Sequence, residues 1–183
     1  MAEVISGKFK KARIYVPKRV NIKPTASVVR RAIFDYLGEW VEDKNVLDLY
    51  AGTGALGVEA LSRGARAAVF VEIDRRCINS LRRTLNGLRN VNFEIVPLSV
   101  FQALPLLTGR KFDLVFLDPP YGMKLVKSTL MEMEECDIVK NNSIIVAEHH
   151  KKEIFADRIG IFRLKLQKKY GETVISIFEV GNE

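Results

Sequence analysis

Cysteine is scarce in this sequence, and long apolar runs are absent. Its two cysteines, Cys77 and Cys136, form no Cys-x-x-Cys pair, so neither a disulfide framework nor a zinc site is indicated. No apolar stretch approaches the roughly 20 residues that a membrane-spanning helix needs. Residues 1–16 mix Glu3 with several basic residues, where a signal peptide would be continuously apolar. We therefore expect a cytoplasmic protein without a metal site or a membrane partner, and we interpret His149 and His150 as surface residues.

The composition is that of a globular chain, with 48% hydrophobic and 28% charged residues among 183. A chain of this length fits one domain, which would bury roughly 70% of its unfolded surface. No repeat or low-complexity tract interrupts it. We expect residues 1–40 to form a basic extension packed on the core and residues 41–183 to form the main domain, with a monomer as the simplest state.

Positive charge is concentrated at the amino terminus. Residues 1–31 hold nine basic residues and one acid, whereas the rest of the chain holds 20 basic and 21 acidic residues. A localised basic arm on a neutral body is typical of a protein that binds a polyanion, although a solubilising arm is the alternative. The candidates for phosphate binding are five basic residues of the arm, namely Lys8, Lys10, Lys11, Arg13 and Lys23.

From residue 45 onward, apolar runs predict strands that alternate with helices. The predicted strands are 45–50, 67–74, 91–96 and 111–118. This alternation predicts a parallel sheet covered on both faces. Near the carboxyl end, the runs 143–149, 161–167 and 173–180 are strand-like, and the "KKYGE" between the last two favours a hairpin. We therefore predict an α/β fold in which an antiparallel strand closes a mostly parallel sheet.

Before residue 45, two short strand-like runs flank a turn at Gly7, which predicts a small hairpin. A helix follows and is predicted to be capped by Thr25 or Ser27. In the main domain, the arginines of the helix after the second strand, Arg75, Arg76, Arg82, Arg83 and Arg89, are expected to form a solvated face.

A glycine-rich loop follows the first long strand. Gly52-x-Gly54-x-x-Gly57 matches the strand, turn and helix fingerprint of nucleotide-containing cofactors, and Glu72 stands 20 residues after Gly52, where a carboxylate binds ribose hydroxyls. Ile73 is a candidate for packing on an adenine, with strand-end core as its alternative. The loop by itself suits either NAD or S-adenosylmethionine.

Asp48 favours S-adenosylmethionine. It lies on the strand just before the glycines, where a carboxylate would oppose the pyrophosphate of a dinucleotide. S-adenosylmethionine has no phosphate but has an amino group, which an acid attracts. The alternative is a strand-end acid that only stabilises the turn. Asp74 is expected to cap the following helix.

The fourth strand ends in "DPPYG". Asp118 is therefore expected to face the cofactor crevice, and Pro119 and Pro120 form a stiff segment that presents carbonyl oxygens. An acid followed by a rigid acceptor can hold the two hydrogens of an exocyclic amine, and Tyr121 offers a face on which an extruded base can stack. We interpret Asp118, Pro119 and Tyr121 as catalytic residues of amine methylation.

Together, "DLYAGTGALGVEALSRGA", "VFVEID", "FLDPPYG" and "KPTASVVRRAIFDYL" resemble the RsmD-type bacterial ribosomal RNA methyltransferases over nearly the whole chain. This resemblance implies a Rossmann-like class I methyltransferase fold with a seven-stranded sheet. It also implies S-adenosylmethionine as the donor and guanine N2 in small-subunit (16S) ribosomal RNA, or in a small-subunit assembly particle, as the acceptor. Asp48, Gly52 and Gly54 would hold the methionine part. Ser99 stands where relatives usually have Asp or Asn and would meet the adenine amino group, with helix capping as its alternative.

Two other functions are open. Asp-Pro-Pro-Tyr also serves adenine-N6 methylation of RNA or DNA, although 183 residues leave little room for a separate DNA-recognition domain. A noncatalytic RNA-binding module with a vestigial cofactor site is the second alternative. It is disfavoured because Asp48, Gly52, Glu72 and Asp118 occur together. A dehydrogenase is a more remote possibility.

Overall fold

The computed structural model describes residues 2–17, 27–120 and 122–181. The predictions for Lys23, for Tyr121 and for the Thr25 cap lie outside these residues. In the described part, no helix has both the length and the apolar composition needed to cross a membrane.

The described strands alternate with helices as the apolar periodicity predicts, and we number them along the chain. The strands are β1 (Ala2–Glu3), β2 (Arg13–Ile14), β3 (Asn45–Leu49), β4 (Ala67–Val71), β5 (Phe93–Val96), β6 (Phe112–Leu117), β7 (Val139–His150), β8 (Arg158–Ile159), β9 (Phe162–Tyr170) and β10 (Thr173–Val180). The helices are α1 (Ser27–Leu37), α2 (Ala55–Ser62), α3 (Arg75–Asn86), α4 (Val100–Leu106) and α5 (Leu125–Glu135), with a 3-10 turn at Gly38–Val41.

The main sheet has the order β5-β4-β3-β6-β7-β10-β9-β8. Strands β3 to β7 are parallel to one another, and β10 pairs antiparallel with both β7 and β9. The predicted Rossmann-like α/β fold with an antiparallel carboxyl-terminal strand is confirmed. The structure adds an eighth strand, β8, whose two residues are too few to show a period in the sequence.

Each face of the sheet carries its own apolar core because β3 and β6 alternate buried side chains between the two faces. On one face Phe34 of α1 packs against Phe116 of β6, with ring centroids 5.8 Å apart. Both rings are fully buried, and burial of each stabilises the fold by about 1.5–3 kcal/mol. Helices α1 and α2 contribute to this first core, and α4 and α5 contribute to the second.

The basic arm is held against α2 by two polar side chains of that helix. The fully buried Glu59 carboxylate accepts the N–H groups of Ile5, at 2.7 Å, and Ser6, at 3.0 Å. The Ser62 hydroxyl donates to the Ser6 carbonyl and accepts the Phe9 N–H. The hairpin is thus held by hydrogen bonds to a core helix as well as by apolar contacts.

Gly7 makes this close approach possible. Its φ is +81°, and a Cβ at this position would lie 2.0 Å from the Ser62 carbonyl oxygen. A side chain is therefore excluded both by the backbone conformation and by the contact with α2.

Candidate functional site

The candidate site lies where β3, β4 and β6 end side by side. Leu49 of β3 pairs with Val71 of β4 on one side and with Leu117 of β6 on the other. The three loops that follow these strands therefore start at the same edge of the sheet, which is the edge where doubly wound α/β folds bind ligands. These loops carry the glycines, Glu72 and Asp118.

The glycine loop begins with a left-handed turn. Tyr50, directly after β3, has φ of 59°, and Gly52 and Gly54 have φ of 55° and 73°. A non-glycine residue in this region costs about 1–3 kcal/mol and persists only where other contacts hold it. The Tyr50 hydroxyl lies 2.8 Å from Thr129 Oγ1 on α5, and burial raises the pKa of Tyr50. This contact joins residues 79 positions apart, and no local sequence pattern indicates it.

Two of the loop glycines allow the start of α2 to pack closely against α3 and β4. A Cβ on Gly54 would lie 2.3 Å from Leu81 Cδ1, and one on Gly57 would lie 2.3 Å from the ring of Phe70. The Gly57 N–H also donates to Asp48 Oδ2 at 2.9 Å. Gly57 therefore serves helix packing and Asp48 orientation together.

Asp48 is an almost fully buried carboxyl group, with 2% of the residue exposed. Burial raises the pKa of Asp48 to about 8, and the nearby Glu72 charge acts in the same direction, while the Gly57 N–H opposes the shift. A carboxyl group in this state gains most from a cation, because a positive charge beside it favours ionisation. The site therefore suits an amino group and disfavours a pyrophosphate.

Glu72 joins two of the three loops. Its Oε2 accepts the Gly52 N–H at 2.7 Å, and its Oε1 accepts the N–H groups of Ile73, at 2.8 Å, and Asp74, at 2.7 Å. Three backbone donors thus fix the carboxylate at the end of β4. Ile73 is 63% exposed, so its side chain does not belong to the core, and the alternative interpretation is wrong.

Asp74 and Ser99 both begin helices. Asp74 Oδ1 accepts the N–H groups of Arg76 and Cys77 at the start of α3, as predicted, and the Arg76 guanidinium lowers the pKa of Asp74 to about 2. Ser99 is the N-cap of α4 and forms a capping box with Gln102, whose Oε1 accepts the Ser99 N–H at 3.3 Å. Capping by Ser99 is thus present, and its contact with an adenine remains a prediction.

The proline motif begins directly at the end of β6. Asp118 is half-buried, Pro119 is buried and Pro120 is exposed. Because β6 lies beside β3, Asp118 starts from the same edge as the glycine loop. The structure therefore brings Asp48, Glu72 and Asp118 to one end of three adjacent strands.

The described basic residues of the arm lie on its surface. Lys8, Lys10, Lys11 and Arg13 are all exposed, and none of them forms a salt bridge within the described ranges. They are separated from the strand ends by the length of α2, because the arm contacts the end of that helix at Ser62. The arm and the strand-end residues thus form two separate groups.

One surface expectation is wrong. His149 is only 2% exposed, and its Nε2 lies 2.7 Å from Ser176 Oγ. Burial lowers the pKa of His149. Among residues 2–17, 27–120 and 122–181, no group of three or more His, Cys, Asp or Glu side chains is arranged to hold a metal ion.

Comparisons with known proteins place the chain among methyltransferases. A family described as conserved hypothetical protein 95 matches residues 2–179. The ribosomal RNA small subunit methyltransferase D of Buchnera aphidicola (subsp. Acyrthosiphon pisum) is 33% identical over 150 residues, covering 82% of this chain and 78% of that protein. The protein of the same name from Escherichia coli K12 is 32% identical over 145 residues, covering 79% and 73%.

Solved structures agree with this similarity. The yhhF protein of Escherichia coli superimposes with a TM-score of 0.90 at 27% identity, covering 100% of this chain and 99% of that one. A protein of Thermus thermophilus superimposes with a TM-score of 0.82 at 29% identity, covering 98% and 100%.

Proposed function

Because the chain belongs to the RsmD-type family of ribosomal RNA methyltransferases, we propose that it methylates the N2 amine of a guanine in small-subunit (16S) ribosomal RNA. Its cofactor is S-adenosylmethionine. The observation that carries the proposal is the position of Asp118 and Pro119 at the end of β6, beside the glycine loop that follows β3. An amine-binding group and a cofactor loop thus share one edge of the sheet.

The residues at this edge fit the cofactor. The buried Asp48 and the left-handed loop at Gly52 and Gly54 would hold the amino-acid part, and the Glu72 carboxylate would accept the ribose hydroxyls. The exposed Ile73 side chain would lie against the adenine, with Ser99 near its amino group. When bound, the cofactor supplies a methyl group on a sulfonium centre.

Asp118 and Pro119 would act on the acceptor. The lone pair of an exocyclic amine is delocalised into the base, which makes the amine a poor nucleophile. If the Asp118 carboxylate and the Pro119 carbonyl accept its two hydrogens, the lone pair turns toward the methyl group. Such positioning can be worth roughly 7–11 kcal/mol. Asp118 would then take the proton that the methylated amine releases, and Tyr121 would stack on the base.

The arm would bind the RNA backbone. Lys8, Lys10, Lys11 and Arg13 are exposed cations held on a fixed hairpin, and Lys23 continues this charge in the sequence. Phosphate binding by these residues predicts an affinity that falls steeply with salt. A single domain acting as a monomer in the cytoplasm, with the arm as an extension of residues 41–183, remains our prediction.

The proposal is tested by offering several acceptors in parallel. Labelled S-adenosylmethionine is incubated with unmodified 16S RNA, with small ribosomal subunits and with duplex DNA. Transfer to RNA or subunits supports the proposal and identifies the assembly state that is used. Transfer to DNA alone would contradict it, and cofactor binding with no transfer to any acceptor would favour a noncatalytic RNA-binding module.

A further inference from the structure

We propose that helix α3 is the second half of the RNA-binding surface, with Arg83 joined to the arm through Tyr15 and with Arg82 and Arg75 continuing the surface toward the cofactor loop. The ligand would be the phosphodiester backbone of RNA. This inference rests on the proposed function, and it replaces our expectation that the α3 arginines form only a solvated face.

The contact between the arm and α3 is built around Tyr15. The guanidinium carbon of Arg13 lies 4.9 Å from the centroid of the Tyr15 ring, and that of Arg83 lies 4.0 Å from it. The Tyr15 N–H donates to Thr84 Oγ1 at 3.0 Å, which ties the chain after β2 to the same helix turn. One aromatic ring therefore holds two cations together, one from the arm and one from α3.

The exposed side of α3 carries one sign of charge. Helix α3, Arg75–Asn86, contains four arginines and no acidic residue. Its opposite side faces the core with the apolar residues Cys77, Ile78, Leu81 and Leu85. Arg75 and Arg82 are seven residues apart, so they lie on the same side of the helix and about 10 Å apart along its axis. Together with Arg83, they extend the charge of the arm along the helix.

These three arginines lack the partners that many other cations of the chain have. Arg66, Arg110 and Lys111 each form a salt bridge with a carboxylate. In α3, Arg76 pairs with Asp74, but Arg75, Arg82 and Arg83 form no salt bridge in the described part of the chain. Their charge is therefore available to an anion from outside.

Arg75 lies at the end of α3 that is nearest the candidate site. It is exposed in the first turn of the helix and forms no salt bridge in the described part of the chain, whereas the Asp74 carboxylate that caps this turn pairs with Arg76. Helix α3 also begins directly after the loop that holds Glu72 and Ile73, and Thr84 in its last turn contacts the residue after β2. The helix thus connects the arm to the candidate site.

The test is the salt dependence of binding to an unmodified 16S RNA transcript. Each phosphate contact adds roughly 0.7–0.9 to the slope of log affinity against log salt. The triple variant Arg75→Gln, Arg82→Gln, Arg83→Gln should therefore lower the slope by about 2–3. The control is Lys169→Gln, which removes an exposed charge on β9 at the other side of the sheet, and which should leave the slope unchanged.

A pair of Tyr15 variants tests the contact itself. Tyr15→Phe keeps the ring that holds both guanidinium groups and should bind RNA like the wild type, whereas Tyr15→Leu removes the ring and should weaken binding about 3-fold to 10-fold. S-adenosylhomocysteine binding, measured on every variant, shows whether the fold is intact. If the triple variant loses this binding, the single variant Arg83→Gln and the Tyr15 pair decide the question.

The outcomes separate this inference from the proposed function. A second triple variant, Lys8→Gln, Lys10→Gln, Lys11→Gln, tests the arm. If this arm variant binds RNA more weakly and with a smaller salt slope, while the α3 variant keeps the wild-type slope and affinity, then α3 is not part of the RNA-binding surface and the role of the arm stands. If neither variant changes RNA binding while methyl transfer continues, both surface assignments are wrong and the catalytic assignment stands.

Discussion

Glu72 Oε2 accepts the Gly52 N–H at 2.7 Å, and this bond fixes the loop after β3 to the end of β4. Glu72→Gln replaces a carboxylate that accepts three backbone N–H groups with an amide that has one acceptor oxygen. Hydrogen bonds to a charged group contribute about 1.5–3 kcal/mol each, so we expect S-adenosylhomocysteine to bind at least about 10-fold more weakly. Isothermal titration calorimetry measures this loss.

The matched control for Glu72 is Glu94→Gln, which changes an exposed carboxylate paired with Arg110. It should bind like the wild type. An unchanged affinity in Glu72→Gln would mean that the carboxylate neither holds the loop nor meets the cofactor.

The buried carboxyl of Asp48 predicts a pH-dependent stability. Its folded-state pKa of about 8 lies above the value of about 3.9 for an unfolded aspartate. The folded chain therefore binds more protons between these values, and its stability falls as the pH rises through this window. Urea unfolding without cofactor should show a larger loss of stability between pH 6 and pH 8 for the wild type than for Asp48→Asn.

The same variant separates stability from ligand binding. Asp48→Asn cannot carry the negative charge that the amino group of the cofactor requires, so it should bind S-adenosylhomocysteine more weakly while unfolding at a higher urea concentration at pH 8. Equal pH dependence in the two chains would show that Asp48 is ionised in the folded state.

Asp118 is expected to act on the acceptor alone. Asp118→Ala should abolish methyl transfer while leaving S-adenosylhomocysteine binding nearly unchanged, because the residues proposed to hold the cofactor lie on or after β3, β4 and β5, whereas Asp118 follows β6. Asp137→Ala removes an exposed carboxylate paired with Lys111 and should keep both functions. Parallel loss of binding and transfer in Asp118→Ala would assign Asp118 to the fold or the cofactor.

Gly7 should be intolerant of substitution because of its contact with α2. Gly7→Ala puts a Cβ against the Ser62 carbonyl, whereas Gly109→Ala changes a glycine with the same φ of +81° and no atom within 4 Å of the new Cβ. Both variants carry the backbone penalty of roughly 1 kcal/mol for a side chain at positive φ. The difference between their unfolding free energies therefore measures the cost of the contact with Ser62. We expect Gly7→Ala to be clearly less stable, and equal values would mean that the arm moves freely.

The sequence predicts the elements whose side chains follow a strong period. Strands β3, β4 and β6 are buried on both faces, so they read as apolar runs. Strand β3 ends one residue after Asp48, and β4 and β6 end one residue before Glu72 and Asp118. The shared edge of these residues follows from parallel pairing, which the alternation of strands and helices predicts. This is why the candidate site could be outlined before the structure.

The remaining features depend on contacts between distant residues. The sequence patterns do not predict helix α5. They also do not predict the hydrogen bond between Tyr50 and Thr129 of that helix. His149 is buried, and its Nε2 lies 2.7 Å from the Oγ of Ser176 on β10, a neighbour that only strand pairing brings near. The contact of Tyr15 with Arg83 likewise joins an arm to a helix that is far away in sequence. No local pattern records these contacts.

The central claim is that the methyl group reaches N2 of a guanine. The most direct measurement is to methylate unmodified 16S RNA with labelled S-adenosylmethionine, digest the product to nucleosides and identify the labelled one by chromatography and mass spectrometry. Our account predicts label in N2-methylguanosine with the wild type and none with Asp118→Ala. Label in N6-methyladenosine would contradict it.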